Sequence, residues 1–142
     1  MMKTYYLAYG SNLNVNQMRY RCPNAIRMGK IILKDYELEF RTFLTIVPKK
    51  GASVPIGVWL VDAIDERRLD AYEGYPTFYR KEYIDVEIHK QKVKALVYIM
   101  NDVRGLNPPT RQYLNTCAEG YEDFDMDLEP LKEAYKRSLN CN

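Results

Sequence analysis

Two short stretches of this 142-residue chain hold residues whose types and spacing could do chemistry. The first is Tyr9-Gly10-Ser11-Asn12-Leu13, where a predicted strand gives way to a predicted helix. A Gly-Ser-Asn turn aimed at a helix N-terminus offers free backbone N–H groups at the positive end of a dipole, a place for an anion or for an oxyanion that forms during a reaction. The second is Glu73, at the predicted C-terminal end of a short helix followed by Gly74, Tyr75 and Pro76. The last turn of a helix is its negative end, so a carboxylate there is disfavoured twice, by the dipole and by partial burial, and its pKa should rise. An acid poised nearer neutrality suits general acid–base work.

The elements that must position these residues can be read from the same segments. Thr4 to Ala8 is short, β-prone and rich in Tyr and Leu, so it reads as a buried strand. Asn14 can cap the helix that follows, with Gln17 as the return half of a capping box, Leu13 and Met18 as a hydrophobic staple, and Pro23 at the far end. Asp65 to Tyr75 reads as the second helix, with Asp65 as N-cap, Ile64 and Leu69 as staple and Gly74 as the left-handed stop. Leu69 and Tyr72 make its inward stripe and Glu73 lies on the flank. On its own, each segment reads first as plain structure: a tight turn in which Gly10 relieves strain, and a solvated surface Glu like Glu66 on a similar azimuth.

Taken together they say more. A Tyr-Gly-Ser-Asn-Leu loop followed by Asp70-Ala71-Tyr72-Glu73-Gly74-Tyr75-Pro76 and Phe78-Tyr79-Arg80-Lys81 resembles the gamma-glutamylcyclotransferase-like family, over Tyr5 to about Tyr113. The resemblance implies an α+β fold, a small, mostly antiparallel β-barrel with a few flanking helices, and a pocket bounded by the loop and the Glu. It further implies that Tyr9 and the backbone groups of Gly10, Ser11, Asn12 and Leu13 hold the substrate and that Glu73 is the catalytic acid–base. Tyr79 matches an aromatic position after the Glu, and Tyr113 a later pocket tyrosine. The segment before Tyr113 is shorter here than in longer members, which leaves the pocket mouth, and hence the substrate, open.

Composition narrows the alternatives. With 46% hydrophobic residues, residues 1–142 can bury one core of their own and read as a single domain. Residues 1–50 carry nine Lys/Arg against three Asp/Glu, and Glu119 to Glu129 holds six acids and no base. Arg19, Arg21, Arg27 and Lys30 are scattered without a nucleic-acid-binding module, so the charge reads as solvated surface and no nucleic-acid partner is expected. Cys22, Cys117 and Cys141 are odd in number and lack metal-type spacing. The start has neither an apolar signal core nor a cleavage site, and no apolar run approaches ~20 residues, so a cytoplasmic protein away from membranes is expected. His89, the one histidine, stands among Lys90 and Lys92, which removes the main ingredient of Ser-His-Asp or His-metal chemistry. No P-loop or dinucleotide fingerprint occurs, and no cofactor or metal is expected.

The middle of the chain reads as strands: Ile26–Leu33 and Tyr36–Arg41 as a hairpin about Lys34-Asp35, Phe43–Val47 and Ile56–Val61 around a Pro48–Gly51 loop, then Ile84–Ile88 and Lys94–Met100. Thr110 caps a third helix, and Asp127 a fourth over Leu128–Leu139. For a γ-glutamyl amide, these parts suit attack of the substrate's own α-amine on its γ-carbonyl, giving 5-oxoproline and a free amine. The resemblance makes a small γ-glutamyl compound the expected partner, for a monomer or weak homodimer. Two alternatives stay open: a non-catalytic binding module on the same fold, and an unusual substrate such as an isopeptide side chain or a γ-glutamyl-protected biosynthetic intermediate.

Overall fold

The computed structural model describes residues 2–101 and 104–140; Cys141, considered above, lies outside the described residues. The chain runs β1 (Lys3–Ala8), a 3₁₀ turn (Ser11–Leu13), α1 (Val15–Arg21), β2 (Ile26–Arg41), β3 (Phe43–Asp62), α2 (Ala63–Glu73), β4 (Tyr79–Ile88), β5 (Gln91–Met100), α3 (Arg111–Asp123) and α4 (Glu129–Leu139). The five strands form one sheet in the order β2-β3-β1-β5-β4. Pairing is antiparallel throughout, save that β1 lies parallel to β5 with Tyr6 opposite Leu96. The apolar face of β1 and the whole of Ala95–Met100 are buried at the centre of the core.

The expected α+β fold is present, but the barrel is not closed. The sheet is open, with β2 and β4 as its edges. It curls instead: the far half of the β2–β3 hairpin leans over the ends of β4 and β5, where Met100 N donates to Thr45 Oγ1 (3.0 Å) and Tyr79 Oη to the Leu44 carbonyl (2.6 Å). A cleft of about 320 Å³, lined by Tyr36, Arg41, Thr45, Arg80 and Met100 among others, lies where ladder bonds would close a barrel. Among the described residues the edge at Phe40–Thr42 is covered by Asn107, whose N–H donates to the Phe40 carbonyl and whose carbonyl accepts from Thr42 N.

The hairpin expected at Lys34-Asp35 is likewise replaced. β2 runs straight through these residues, with Asp35 at φ 67° in a bulge. The chain reverses at Thr42 (φ 69°), between the partners Arg41 and Phe43. Residues 49–52 then bulge opposite Asp35, whose Oδ1 accepts from Gly51 N (3.0 Å). A left-handed Asp accounts for the misreading, because the same preference that makes Asp a turn former lets it sit in a strand bulge.

α1 starts as expected, with Asn14 Oδ1 accepting from Gln17 N (3.1 Å) and Leu13 and Met18 both buried. The Gln17 side chain does not return to the cap; its Oε1 accepts from Arg21 (2.9 Å). α2 starts three residues earlier than expected. Asp62 is the N-cap, its Oδ1 accepting from Asp65 N (2.8 Å). Asp65 is thereby drawn into the first turn and fully buried, without a hydrogen-bond partner on either carboxyl oxygen among the described residues. Burial first, and the Asp62 carboxylate second, raise its pKa. Ile64 is consequently exposed rather than half of a staple. Gly74 ends the helix at φ 67°, as a left-handed cap should. Asp127 caps α4 from one residue further out, accepting from Glu129 N (2.9 Å).

Candidate active site

β1 delivers Tyr9 and Gly10 to the end of the sheet, and the chain then tightens into the 3₁₀ turn. Leu13 N donates to the Gly10 carbonyl and Asn14 N to the Ser11 carbonyl, each at 3.0 Å. Among the described residues, the N–H groups of Gly10, Ser11 and Asn12 meet no protein acceptor. α3 clamps this turn from outside. Tyr121 Oη donates to the Tyr9 carbonyl (3.0 Å), Asn14 Nδ2 to the Thr116 carbonyl (3.0 Å), and Val15 N to Asp123 Oδ2 (2.9 Å). The approach is close enough that a Cβ on Gly120 would lie 2.6 Å from Asn14 N, so only glycine lets α3 rest on the turn.

Asn12 is fixed on three sides. Its carbonyl accepts from Trp59 Nε1 (2.9 Å), its Oδ1 accepts from Arg21 Nη1 (2.5 Å), and its Nδ2 donates to Tyr6 Oη (2.8 Å). Tyr6 and Trp59 are direct cross-strand partners on β1 and β3, so one face of the sheet holds both ends of this residue. Because Arg21 can only donate, it sets which end of the Asn12 amide carries the oxygen. The same Nδ2 then lies 3.4 Å from Glu73 Oε1.

Glu73 reaches this point from the last residue of α2. It is half-buried, and burial pushes its carboxyl up to about 7, against the opposing pull of the Arg21 guanidinium. Tyr72 beside it is not part of an inward stripe as expected but 44% exposed. Its ring packs under Arg21, 3.5 Å from the guanidinium carbon, and its hydroxyl lies 2.8 Å from Ser11 Oγ. Leu69 alone carries the buried face of the helix end.

Loop and acid share one pocket in two parts. An inner well of about 30 Å³ is lined by Tyr6, Tyr9, Gly10 to Asn12, Leu44, Glu73, Tyr79, Tyr98 and Tyr113. It adjoins an outer chamber of about 310 Å³ bounded by Ser11, Phe43, Tyr72, Glu73, Phe78, Tyr79 and Tyr113. The well has room for a small polar group only, so the body of any substrate extends into the chamber. Burial raises the pKa of the Tyr6, Tyr9, Tyr79, Tyr98 and Tyr113 hydroxyls, which therefore stay protonated. Tyr9 and Tyr79 spend their protons on the carbonyls of Tyr98 and Leu44, both at 2.6 Å, and Tyr98 on Asp70 Oδ1 at 2.6 Å. Tyr6 and Tyr113 instead accept, from Asn12 Nδ2 (2.8 Å) and Leu44 N (3.1 Å), which leaves their O–H groups to donate into the well.

Of the residues singled out from the sequence, Tyr9, Gly10, Ser11, Asn12, Glu73, Tyr79 and Tyr113 come together here. Leu13 does not: its side chain is buried and its N–H is bound to the Gly10 carbonyl, so it anchors the loop. Tyr6, Tyr98, Phe43 and Arg21 were not legible as site residues. The two-residue period of β1 is a signal that Tyr5 and Tyr6 face opposite ways, but not of which one meets the pocket. Arg21 gives none, since only the fold brings α1 against α2. His89 sits exposed in the β4–β5 turn. Cys22 and Cys117 are free, buried thiols with pKa values raised to about 12 by burial. Among the described residues no group of His, Cys, Asp and Glu is arranged to hold a metal ion, and no helix is long and apolar enough to cross a membrane.

Known proteins resemble this chain in both sequence and fold. The family model described as "Gamma-glutamyl cyclotransferase, AIG2-like" matches residues 6–120. Gamma-glutamylcyclotransferase of Bos taurus is 25% identical over 152 aligned positions, spanning 95% of this chain and 76% of the bovine protein. That of Mus musculus is 26% identical, over 87% of this chain and 73% of its own. A solved structure titled "Gamma-glutamyl cyclotransferase" superposes with a TM-score of 0.80 over 99% of this chain and 89% of that one, at 22% identity, a likeness of fold. The chain belongs to the gamma-glutamyl cyclotransferase, AIG2-like family.

Proposed function

We propose that this protein converts a γ-glutamyl amide to 5-oxoproline and the free amine, with Glu73 moving the proton. The observation that carries the proposal is the position of Glu73: a carboxyl raised to about 7 by burial, shared by the inner well and the outer chamber, facing a turn whose Gly10, Ser11 and Asn12 N–H groups meet no protein acceptor among the described residues. The substrate brings its own nucleophile. Holding the α-amine against the γ-carbonyl makes the attack intramolecular, which can supply about 7–11 kcal/mol of the barrier.

The steps balance without further reagents. The carboxylate of Glu73 takes a proton from the substrate ammonium, whose pKa is about 8. The freed amine adds to the γ-carbonyl carbon, forming the ring C–N bond, and negative charge gathers on the carbonyl oxygen. Donors at hand for that oxygen, or for the α-carboxylate, are the N–H groups of Gly10 to Asn12 and the hydroxyls of Tyr6 and Tyr113. Glu73 then returns its proton to the leaving nitrogen as the old C–N bond breaks, and the carboxylate so regenerated takes the second proton from the ring nitrogen and passes it to the freed amine, which leaves as an ammonium. Two protons pass in turn from the α-nitrogen to the leaving nitrogen, and the enzyme ends as it began.

Incubation with a panel of γ-glutamyl amino acids and amides, with 5-oxoproline quantified, tests the proposal. Formation from at least one member supports it; absence across the panel, with the protein folded, removes it.

A further inference from the structure

The outer chamber has a character distinct from that of the well. Among the described residues its wall beyond Ser11 and Glu73 consists of five aromatic side chains, Phe43, Tyr72, Phe78, Tyr79 and Tyr113, with no cation among them. The rings brace one another edge to face: Phe43 against Phe78 at 6.0 Å and 89°, Phe43 against Tyr113 at 5.1 Å and 88°, and Phe78 against Tyr79 at 5.1 Å and 79°. Tyr72 is held from behind by Arg21 and through its hydroxyl by Ser11. The Tyr79 and Tyr113 hydroxyls are engaged by the backbone of Leu44. Ring faces and edges therefore make up most of the wall, and the polar groups Ser11, Glu73 and the Tyr113 hydroxyl are among those the chamber shares with the well. Phe43 stays 39% exposed and Tyr72 44%, an aromatic surface beside a cavity of the kind that marks a binding site.

We propose, on the reading of Glu73 given above, that this chamber is a leaving-group subsite for neutral hydrophobic amines, aromatic ones above all. The preferred substrates are then γ-glutamyl amides whose amine carries no carboxylate beside the scissile nitrogen. An α-amino acid as leaving group puts a carboxylate two bonds from that nitrogen, close to the ionising Glu73 and against aromatic rings. Its charge would lose water there without gaining a cation. Arg21 is committed to Asn12, Gln17 and Tyr72. Arg104 stacks on Phe78 at 4.9 Å without lining the chamber; it is the cation on which the opposite preference would have to rest. An uncharged ring meets no such penalty and finds edge-to-face partners already in place.

A matched set tests this. γ-Glutamylphenethylamide and γ-glutamylphenylalanine differ by one carboxylate, and γ-glutamylethylamide lacks the ring. The expected result is a kcat/KM at least about tenfold higher for the phenethylamide than for γ-glutamylphenylalanine, and higher than for the ethylamide. Phe78→Ala should cost the phenethylamide more than the ethylamide. Equal or better turnover of γ-glutamylphenylalanine overturns the inference, as does a ring preference that Phe78→Ala leaves intact. The same compounds titrated against the Glu73→Gln protein give an order independent of turnover. Tighter binding of the phenethylamide than of γ-glutamylphenylalanine supports the subsite even where no 5-oxoproline forms. Equal or reversed affinities, or no binding of either, overturn it. Lack of 5-oxoproline from every compound overturns the cyclotransferase reading alone.

Discussion

Glu73 must accept a proton from the substrate ammonium and give one to the leaving amine, and a carboxyl raised to about 7 loses little in either direction near neutral pH. Glu73→Gln keeps the shape and the contact with Asn12 but cannot shuttle the proton. It should lower kcat by ~10²–10⁴ with substrate affinity largely kept, and steady-state kinetics beside a binding titration check both halves. The pH profile of kcat/KM should carry an acid limb near 7, where Glu73 becomes a carboxylate. Because the Arg21 charge lowers the pKa of Glu73, Arg21→Gln should move that limb to higher pH; a limb that stays in place or moves down would separate it from Glu73. The sequence made Glu73 visible through its place at a helix end and through the motif around it. It could not make Arg21 visible, because nothing local in Met18-Arg19-Tyr20-Arg21 says which of two arginines in one helix turn will face α2. Nor does it distinguish Tyr6 and Tyr113, whose hydroxyls are left to donate, from Tyr9 and Tyr79, whose protons are spent on carbonyls.

At the scale of elements, the 3₁₀ turn is a backbone device. Gly10 is not in a left-handed conformation (φ −128°); it matters because a Cβ there would come within 3.3 Å of Tyr113 Oη and 3.6 Å of Leu44 Cβ. Gly10→Val, with two further methyls to place, should displace Tyr113 and damage both KM and kcat. Ser11→Ala keeps the amide and loses the contact with Tyr72 Oη (2.8 Å), so kcat/KM should fall only several-fold. A nucleophilic hydroxyl would reverse this order, making Ser11→Ala as damaging as Glu73→Gln and leaving a trappable acyl-enzyme. Element boundaries show where sequence reasoning stops. The staple, cap and stop of α1 and the left-handed stop of α2 were legible because each is a local contact. The start of α2 was not, since Asp62 and Asp65 both satisfy the capping pattern and the choice falls to the strand that delivers Asp62 in extended conformation (φ −90°, ψ 179°). The turn at Thr42 was hidden for a similar reason: Lys34-Asp35 is the better turn sequence, and only pairing over the full length of β2 and β3 overrides it.

For the molecule as a whole, the strands and their mainly antiparallel order could be read from alternation and short links, whereas closure could not. Whether a curled sheet seals depends on how the long hairpin meets β4 and β5, and here a cleft remains between them. Folding and catalysis meet in a pH-dependent stability. Glu73 releases its proton near 4.5 when unfolded and near 7 when folded, so between those values the folded state binds more protons and stability falls as pH rises. The loss is complete above pH 7 and amounts to about 1–3 kcal/mol at most. The Tm of Glu73→Gln should therefore exceed that of wild type by a few degrees at pH 8 and converge with it near pH 4. Asp65, raised in the same direction, contributes equally to both proteins and cancels from the difference. A gap that widens toward acid would contradict the sign of the Glu73 shift. The central claim, cyclisation driven through Glu73, is tested most directly by the product balance with one γ-glutamyl amide. The account predicts 5-oxoproline and free amine in equal amounts from the wild type, no free glutamate, and both products formed ~10²–10⁴ times more slowly by Glu73→Gln. Glutamate in place of 5-oxoproline, or undiminished 5-oxoproline from Glu73→Gln, would contradict it.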